Sequence, residues 1–329
     1  MNERDTVRPD IRRTVPVGTG TVLVTGGAGF IGANVVRLLL QNGYRVRVFD
    51  DFSGAGRDNL TGLDVDSVTG DVCDFEAVYR ALDGCRSVVH LAAKTSVLDS
   101  VEDPLPTFRV NAEGTLTALR AAVRAGVSKF ILASSNAAIG EHPPPLHEQL
   151  VPRPKSPYGA SKLAAEGYCA AFHGAYALDV VMLRFANVYG PFSANKTSVV
   201  AKFFRRLSME EPIIVYGDGS QTRDFIYVDD VARAIMLALE KPLGCATLQI
   251  GTGRETSIAE LTAMLIELTG RSAEIQYAAP QPGEIHRNYV SIERAVAELG
   301  FNPRWELRDG LQSTLAWLSE AAIPAKARR

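Results

Sequence analysis

Three glycines at 26, 29 and 32, in the run TGGAGFIG, constrain this chain of 329 residues more than any other feature. They follow TVLVTG (21–26), a β-rich apolar run, and open a helix-period segment at 30–42 that Gly43 ends. Glycine at these places allows a tight turn, lets backbone approach a pyrophosphate, and packs helix against strand, while the helix N-terminus faces the anion. A glycine pattern alone is weak; a strand before it and a helix after it supply the context of a dinucleotide-binding turn. The next strand, YRVRVFD (44–50), ends at Asp50, where a carboxylate can accept hydrogen bonds from the adenosine ribose. It would repel a 2′-phosphate, so NAD is favoured over NADP. The competing readings are a turn aspartate ahead of Asp51 and Ser53, and a preference blunted by Arg45, Arg47 and Arg57. Asp71, in GDVCD after the third strand, suits the adenine amino group or a plain turn.

Further β-rich runs at 65–69, 87–91, 129–134 and 180–185 alternate with helical segments at 74–82, 106–125 and 157–177, the pattern of a parallel sheet covered on both faces. The expected fold is therefore α/β, a Rossmann-type doubly wound sheet over 19–187. Beyond Asn187 come a helix near 199–207, a strand at 213–216, the turn GDGSQTRD, and mixed elements including helices at 258–269 and 292–299. These predict a smaller substrate-facing lobe at 188–321, partly interleaved with the first domain. Residues 1–18 read as a flexible extension and 322–329 as a tail.

A net charge of -2 with mixed signs marks the chain for neither nucleic acid nor an anionic membrane surface, and no run reaches membrane-span length. Cys73, Cys85, Cys169 and Cys245 are scattered, which argues against structural zinc and a disulfide framework; no metal is expected, and a reducing cytoplasm fits.

In Ser156-Pro157-Tyr158-Gly-Ala-Ser-Lys162, Ser156 reads as a helix cap and Pro157 as a first-turn residue. Tyr158 and Lys162 then share one face, a turn apart. A free tyrosine titrates near about pH 10, and a neighbouring ammonium together with a positive nicotinamide ring would draw it toward general-base range.

With these residues in place the chain resembles the extended short-chain dehydrogenase/reductase family, in its nucleotide-sugar epimerase (UDP-glucose 4-epimerase-like) branch. The resemblance runs from Thr21 to about Trp305, through TGGAGFIG, GDV, HLAA (90–93), SVEDP, NAEGT, SS, SPYGASK, RFANVYGP, GDGSQTRDFIYVDDVA and QPGE. It implies Tyr158 as base, Lys162 as its partner and nicotinamide-ribose ligand, and Ser135 as the hydroxyl on the sugar C4 oxygen. NAD would lie along Gly26, Gly29, Phe30 and Ile31, then Asp50, Asp51 and Ser53, then Asp71 and Val72. Leu91, Ala92, Ala93, Lys94 and Asn111 would line its middle, with Ala133 and Ala186 at strand ends. The nucleotide sugar would meet Ser96, Ser135 and Asn136 on one side and Ser198, Val199, Val200, Tyr216 and Gln221 on the other. Asn187 and Arg223 would hold the diphosphate and Glu284 the nucleotide ribose.

Three departures and one open segment bear on the chemistry. In SSNAAIG, Asn136, Ala137 and Ile139 occupy the stretch where family dehydratases carry Asp-Glu and decarboxylases a Glu, so lyase chemistry lacks its acid/base group. Gln281 stands where the family often has Arg, with Arg287 as the compensating cation. Lys94 replaces a common glutamine, either to reach a ribose or as a surface lysine. Lys196, Thr197 and Ser198 either receive a sugar carboxylate or cap the helix at Val199.

The implied reaction is inversion at C4 of a UDP-hexose through a transient 4-keto sugar that turns over while its diphosphate stays anchored. UDP-glucuronate is the alternative substrate; a dehydratase, decarboxylase, net reductase or non-catalytic dinucleotide sensor are the other readings. The apolar and small residues of 106–125 and 157–177 exceed one buried stripe, and in related enzymes these helices pair, so a homodimer is expected.

Overall fold

The computed structural model describes residues 20–194, 196–280 and 285–322. The expected extension at 1–18 and the tail after Ala322 lie outside the described residues, as do Gln281 and Glu284. Seven parallel strands form the central sheet: β1 (Thr21–Thr25), β2 (Arg45–Asp50), β3 (Asp66–Thr69), β4 (Cys85–His90), β5 (Lys129–Ser135), β6 (Asp179–Phe185) and β7 (Cys245–Ile250). Their order is β7-β6-β5-β4-β1-β2-β3, so the chain reverses direction across the sheet between β1 and β4. This is the α/β doubly wound architecture, and its ligand crevice opens at the carboxyl ends of β1 and β4.

The helices are α1 (Phe30–Gln41), α2 (Phe75–Ala81), α3 (Val97–Glu102), α4 (Pro104–Phe108), α5 (Gly114–Arg124), α6 (Pro157–Tyr176), α7 (Val199–Ser208), α8 (Val228–Glu240), α9 (Ile258–Thr269), α10 (Glu293–Leu299) and α11 (Leu307–Ala322). Strand alternation decides which helices cover which face. Val22, Val24, Val89, Ile131, Val181 and Leu183 pack with α1, α8 and α10. Leu23, Val88, Phe130, Leu132, Val180 and Met182 pack with α2, α5 and α6. The central strands β5 and β6 are buried almost throughout, whereas the edge strand β3 is not, so a charged residue inside β5 or β6 becomes informative.

The segment expected as one helix over 106–125 begins at Pro104 and widens into a π-helical turn at Arg109–Glu113 before α5. There the Thr115 hydroxyl donates to the Asn111 carbonyl at 2.6 Å. Insertions of this kind re-aim side chains, and this one carries Asn111.

Beyond β6 the chain builds a second core around Tyr189, Phe203, Phe204, Ile213, Val215, Leu261, Leu265 and Leu311. Ile213–Tyr216 pairs with Ile275–Ala278, and Thr222–Arg223 pairs with both Arg287–Asn288 and Thr256–Ser257. The fully buried Asp224 carboxylate accepts from the amides of Thr252 and Gly253 at 2.9 and 3.0 Å, tying this region to the end of β7.

Candidate active site

At the end of β1, Gly26 takes φ +66°, and a Cβ there would stand 2.6 Å from the Ala92 nitrogen. At Gly32 a Cβ would lie 2.2 Å from the Gly26 carbonyl oxygen. Both positions exclude a side chain for steric reasons, and Gly29 caps α1 with extended backbone and no side-chain acceptor on the first-turn amides. That leaves amides directed outward at the positive end of a 12-residue helix, a cradle suited to a pyrophosphate. Phe30 is buried and Ile31 packs partly against the core, so both shape the turn. The cradle fits NAD by the space its missing side chains leave.

Asp50 ends β2 with one oxygen accepting from Ala28 N at 2.9 Å and the other from Phe52 N at 2.8 Å. Burial pushes this carboxyl up, while the two amides and Arg57 oppose the shift. Arg57 is itself held, 3.9 Å over the Phe52 ring and bonded to Thr69. Arg47 turns away to Asp66 and the carbonyls of Ala81 and Asp83. Asp51 accepts from the amide and hydroxyl of Ser53, a self-contained turn. Asp71 accepts from Cys73 N at 2.9 Å, and Val72 is buried against Gly114, where a Cβ would come within 2.8 Å of it.

After β4 the backbone runs beside the glycine turn: Leu91 N donates to the Thr25 carbonyl and Ala92 N to its hydroxyl, and Ala93 follows. The Lys94 main chain exchanges two hydrogen bonds with the Asn111 side chain, whose amide nitrogen also reaches Ser161 at 3.0 Å. Asn111 thus ties the post-β4 loop to α6, and the Lys94 side chain stays exposed. Beneath them His90 bridges Thr25 and Thr115; burial and Lys162 push its imidazole down to about 3, which keeps it neutral.

Ser156 caps α6 through Gly159 N at 3.1 Å, and Pro157 occupies the first turn. Tyr158 emerges next, its amide on Ser100 Oγ at 3.2 Å and its phenol facing the Ser135 hydroxyl. Lys162, buried one turn on, donates to the Ala133 carbonyl at 2.9 Å. Burial pushes the Tyr158 phenol up, and the Ser135 hydroxyl only partly opposes it. The protein's own groups therefore shift Tyr158 opposite to the expected direction, because desolvation of a phenolate outweighs the pull of the neighbouring Ser135 hydroxyl. Burial draws Lys162 down to about 8, with Glu166 resisting. Asn136 sits beside Ser135, 5% exposed, with neither its amide oxygen nor its nitrogen partnered among the described residues. No carboxylate stands at 136 or 137.

On the facing lobe, Asn187 pairs with the Asp224 carbonyl through its amide at 2.9 Å. Arg223 donates to the carbonyls of Thr222 and Ile285, both at 2.8 Å. Gln221 is buried with its amide on the Tyr216 carbonyl, so it shapes the loop, and the Tyr216 ring is exposed. Ser198 precedes α7 without a side-chain cap, Val199 is partly covered and Val200 is buried. Arg287 forms a two-bond ion pair with Glu255, at 3.0 and 2.6 Å, so its guanidinium is already engaged. Ser96 caps α3 through Asp99 N.

Residues 22–251 match the family model described as the NAD dependent epimerase/dehydratase family. The chain belongs to that family. A curated relative, the putative UDP-glucose 4-epimerase of Methanocaldococcus jannaschii, is 34% identical over 302 residues, covering 90% of this chain and 98% of its own. Among solved structures, the UDP-glucose 4-epimerase of Thermus thermophilus in complex with NAD is 38% identical with a TM-score of 0.86, covering 92% of this chain and 99% of that one. The UDP-glucuronic acid 4-epimerase of Bacillus cereus, in complex with UDP-glucuronic acid and NAD, is 30% identical at the same TM-score and coverages. Family membership fits the glycine cradle, and the NAD expectation agrees with it.

Sequence reading passed over Glu166 and Arg184. Both side chains are buried, and they pair with each other behind Lys162. The signals were present: Glu166 repeats the Tyr158–Lys162 spacing, and Arg184 is a lone cation inside DVVMLRF.

Proposed function

We propose that this chain is an NAD-dependent 4-epimerase of a UDP-hexose of the glucose/galactose type. The observation that carries the reading is the Tyr158 phenol on the Ser135 hydroxyl, followed by a turn with no carboxylate at 136 or 137. Ser135 orients the C4 hydroxyl, and Tyr158 takes its proton and later returns it. Lys162 supplies the positive charge that favours the phenolate, and neutral His90 beneath adds no competing cation. NAD, held along Gly26, Asp50, Asp71 and Lys162, supplies hydride acceptance from C4 and return to its opposite face. Without an acid/base group at 136 or 137, the sugar keeps its C5 hydrogen and C6 substituent. Asn187 and Arg223 hold the diphosphate while the hexose turns.

A hexuronate is the second reading, favoured by Lys196. Its ammonium reaches from the facing lobe to Thr95 at 3.3 Å, burial lowers its pKa, and among the described residues no ion pair engages it. Exposed Val97, Leu98, Val101, Leu105 and Phe108 on α3 and α4, with Tyr168 on α6, support a homodimer. The test is a panel of UDP-glucose, UDP-N-acetylglucosamine and UDP-glucuronate, with products resolved by NMR. Epimerisation of UDP-glucose supports the first reading, turnover of UDP-glucuronate alone the second, and 4-keto-6-deoxy or pentose products overturn both. Light scattering that gives a monomer at micromolar concentration removes the dimer.

A further inference from the structure

Three successive residues of β5 fasten the helix that carries Tyr158 and Lys162. The Ala133 carbonyl accepts from Lys162 at 2.9 Å, the Ser134 hydroxyl donates to Glu166 at 2.5 Å, and the Ser135 hydroxyl meets Tyr158. Residues 158, 162 and 166 therefore form one stripe of α6 laid along the end of the strand. Arg184, which lies opposite Ser134 in β6, closes the Glu166 carboxylate with two bonds, at 2.8 and 2.7 Å. Both side chains are about 5–6% exposed. An ion pair this deep is rarely more stable than a well-packed apolar pair of the same volume, so fold stability alone does not account for it.

The charged surroundings of Lys162 are few. Glu166 acts on it from α6, with Tyr158 one turn earlier in the same helix, and His90 faces it from β4 in neutral form. Arg184 from β6 faces Glu166, and Cys169 lies in the next turn. Asp99 and Glu102 of α3, Arg109 and Glu113 of the π turn, and Arg120 and Arg124 of α5 are exposed. Lys129 and Asp179 pair at the far end of their strands.

We infer that Glu166, clamped by Arg184 and Ser134, is a positioning residue of the reaction: it sets the register of α6 against β5 and supplies the fixed negative charge that keeps Lys162 protonated beside Tyr158. The inference rests on the acid/base roles proposed above for Tyr158 and Lys162. Burial already draws Lys162 down to about 8 against the pull of Glu166. Removing that negative charge lowers it further, so Lys162 loses its proton at a lower pH and the Tyr158 phenolate loses its cation.

E166Q alone strands the Arg184 guanidinium and is expected to lose stability. The double variant E166Q/R184M, which removes both charges together, therefore carries the test, with E166D as the charge-retaining control. Two readouts are taken: the pH profile of kcat, and the ultraviolet phenolate titration of Tyr158 in NAD-free protein, isolated by subtracting each variant's Y158F counterpart. In the double variant the alkaline limb of kcat moves down by about one pH unit, KM stays within about threefold, and Tyr158 ionises at higher pH. E166D keeps the limb where the wild type has it. An unmoved limb and titration in the folded double variant overturn the inference, as does an equal shift in E166D. Failure of the double variant to fold also overturns it, since the pair would then be a structural fastener. If the wild type interconverts no sugar, the proposed function fails by itself, while the phenolate titration still reads the coupling between Glu166 and Tyr158.

Discussion

At the end of β1 function depends on side chains that are missing; at the junction of β5 and α6 it depends on side chains that are buried and charged. Gly26 and Gly32 sit where a single methyl group would overlap backbone. Ser134, Lys162, Glu166 and Arg184 sit where isosteric replacements would fit but would alter charge or hydrogen bonding. The first region is sensitive to volume and the second to protonation, although both lie at the carboxyl ends of one sheet. Binding of a cofactor and handling of a proton are thus separable in this fold, and substitutions can pull them apart.

The widest separation is expected from Tyr158→Phe. It keeps the ring and removes the hydroxyl, so turnover falls roughly 100-fold or more while NAD affinity, measured by calorimetry, holds. Turnover within a few-fold of wild type would remove Tyr158 from the role of base. Gly32→Ala is the reciprocal case, because its Cβ would stand 2.2 Å from the Gly26 carbonyl oxygen and force the turn to shift. It is expected to destabilise the protein by about 1–3 kcal/mol in urea unfolding and to weaken NAD binding. Unchanged stability there would show that the turn yields easily.

Asp50→Ala probes the same end of the sheet through charge. Removing repulsion of a 2′-phosphate should narrow the NAD over NADP preference by about tenfold, close to 1.4 kcal/mol. Equal affinity for the two cofactors in the unmutated protein would show that Asp50, already bonded to two amides, makes no such choice. The smallest effect, of opposite sign, belongs to Gly174→Ala. Gly174 lies in α6 with nothing near its Cβ position, so alanine should stabilise the helix by about 0.5–1 kcal/mol with activity retained. A loss at Gly174 equal to that at Gly32 would erase the steric half of the comparison.

The doubly wound class could be read from the sequence because β-rich runs alternate with helix-period segments, and because the glycine turn stands between a strand and a helix. Tyr158, Lys162 and Ser135 were legible by spacing and resemblance, and the structure brings their side chains to one place. What sequence could not give was the employment of each polar group. Gln221, read as a substrate ligand, holds the Tyr216 carbonyl, and Arg287, read as a spare cation, is paired with Glu255. The Gln221 contact closes within its own loop, whereas Arg287 and Glu255 lie 32 residues apart and meet only through tertiary packing. The π turn at Asn111 escaped for a related reason, since helical periodicity does not reveal a single inserted residue. Glu166 and Arg184 are the instructive omission: their partnership is visible only once β6 is seen to lie beside β5.

The most direct test of the account follows the hydrogen at C4. UDP-glucose carrying deuterium at C4 is incubated with the protein in ordinary water, and the product is examined by NMR and mass spectrometry. If hydrogen is removed from C4 and returned to the same carbon, UDP-galactose forms with its deuterium retained at C4 and with no net change in reduced cofactor. Loss of the deuterium to solvent in the epimerised product, or its appearance at C6 of a 4-keto-6-deoxy sugar, would contradict inversion at a single carbon.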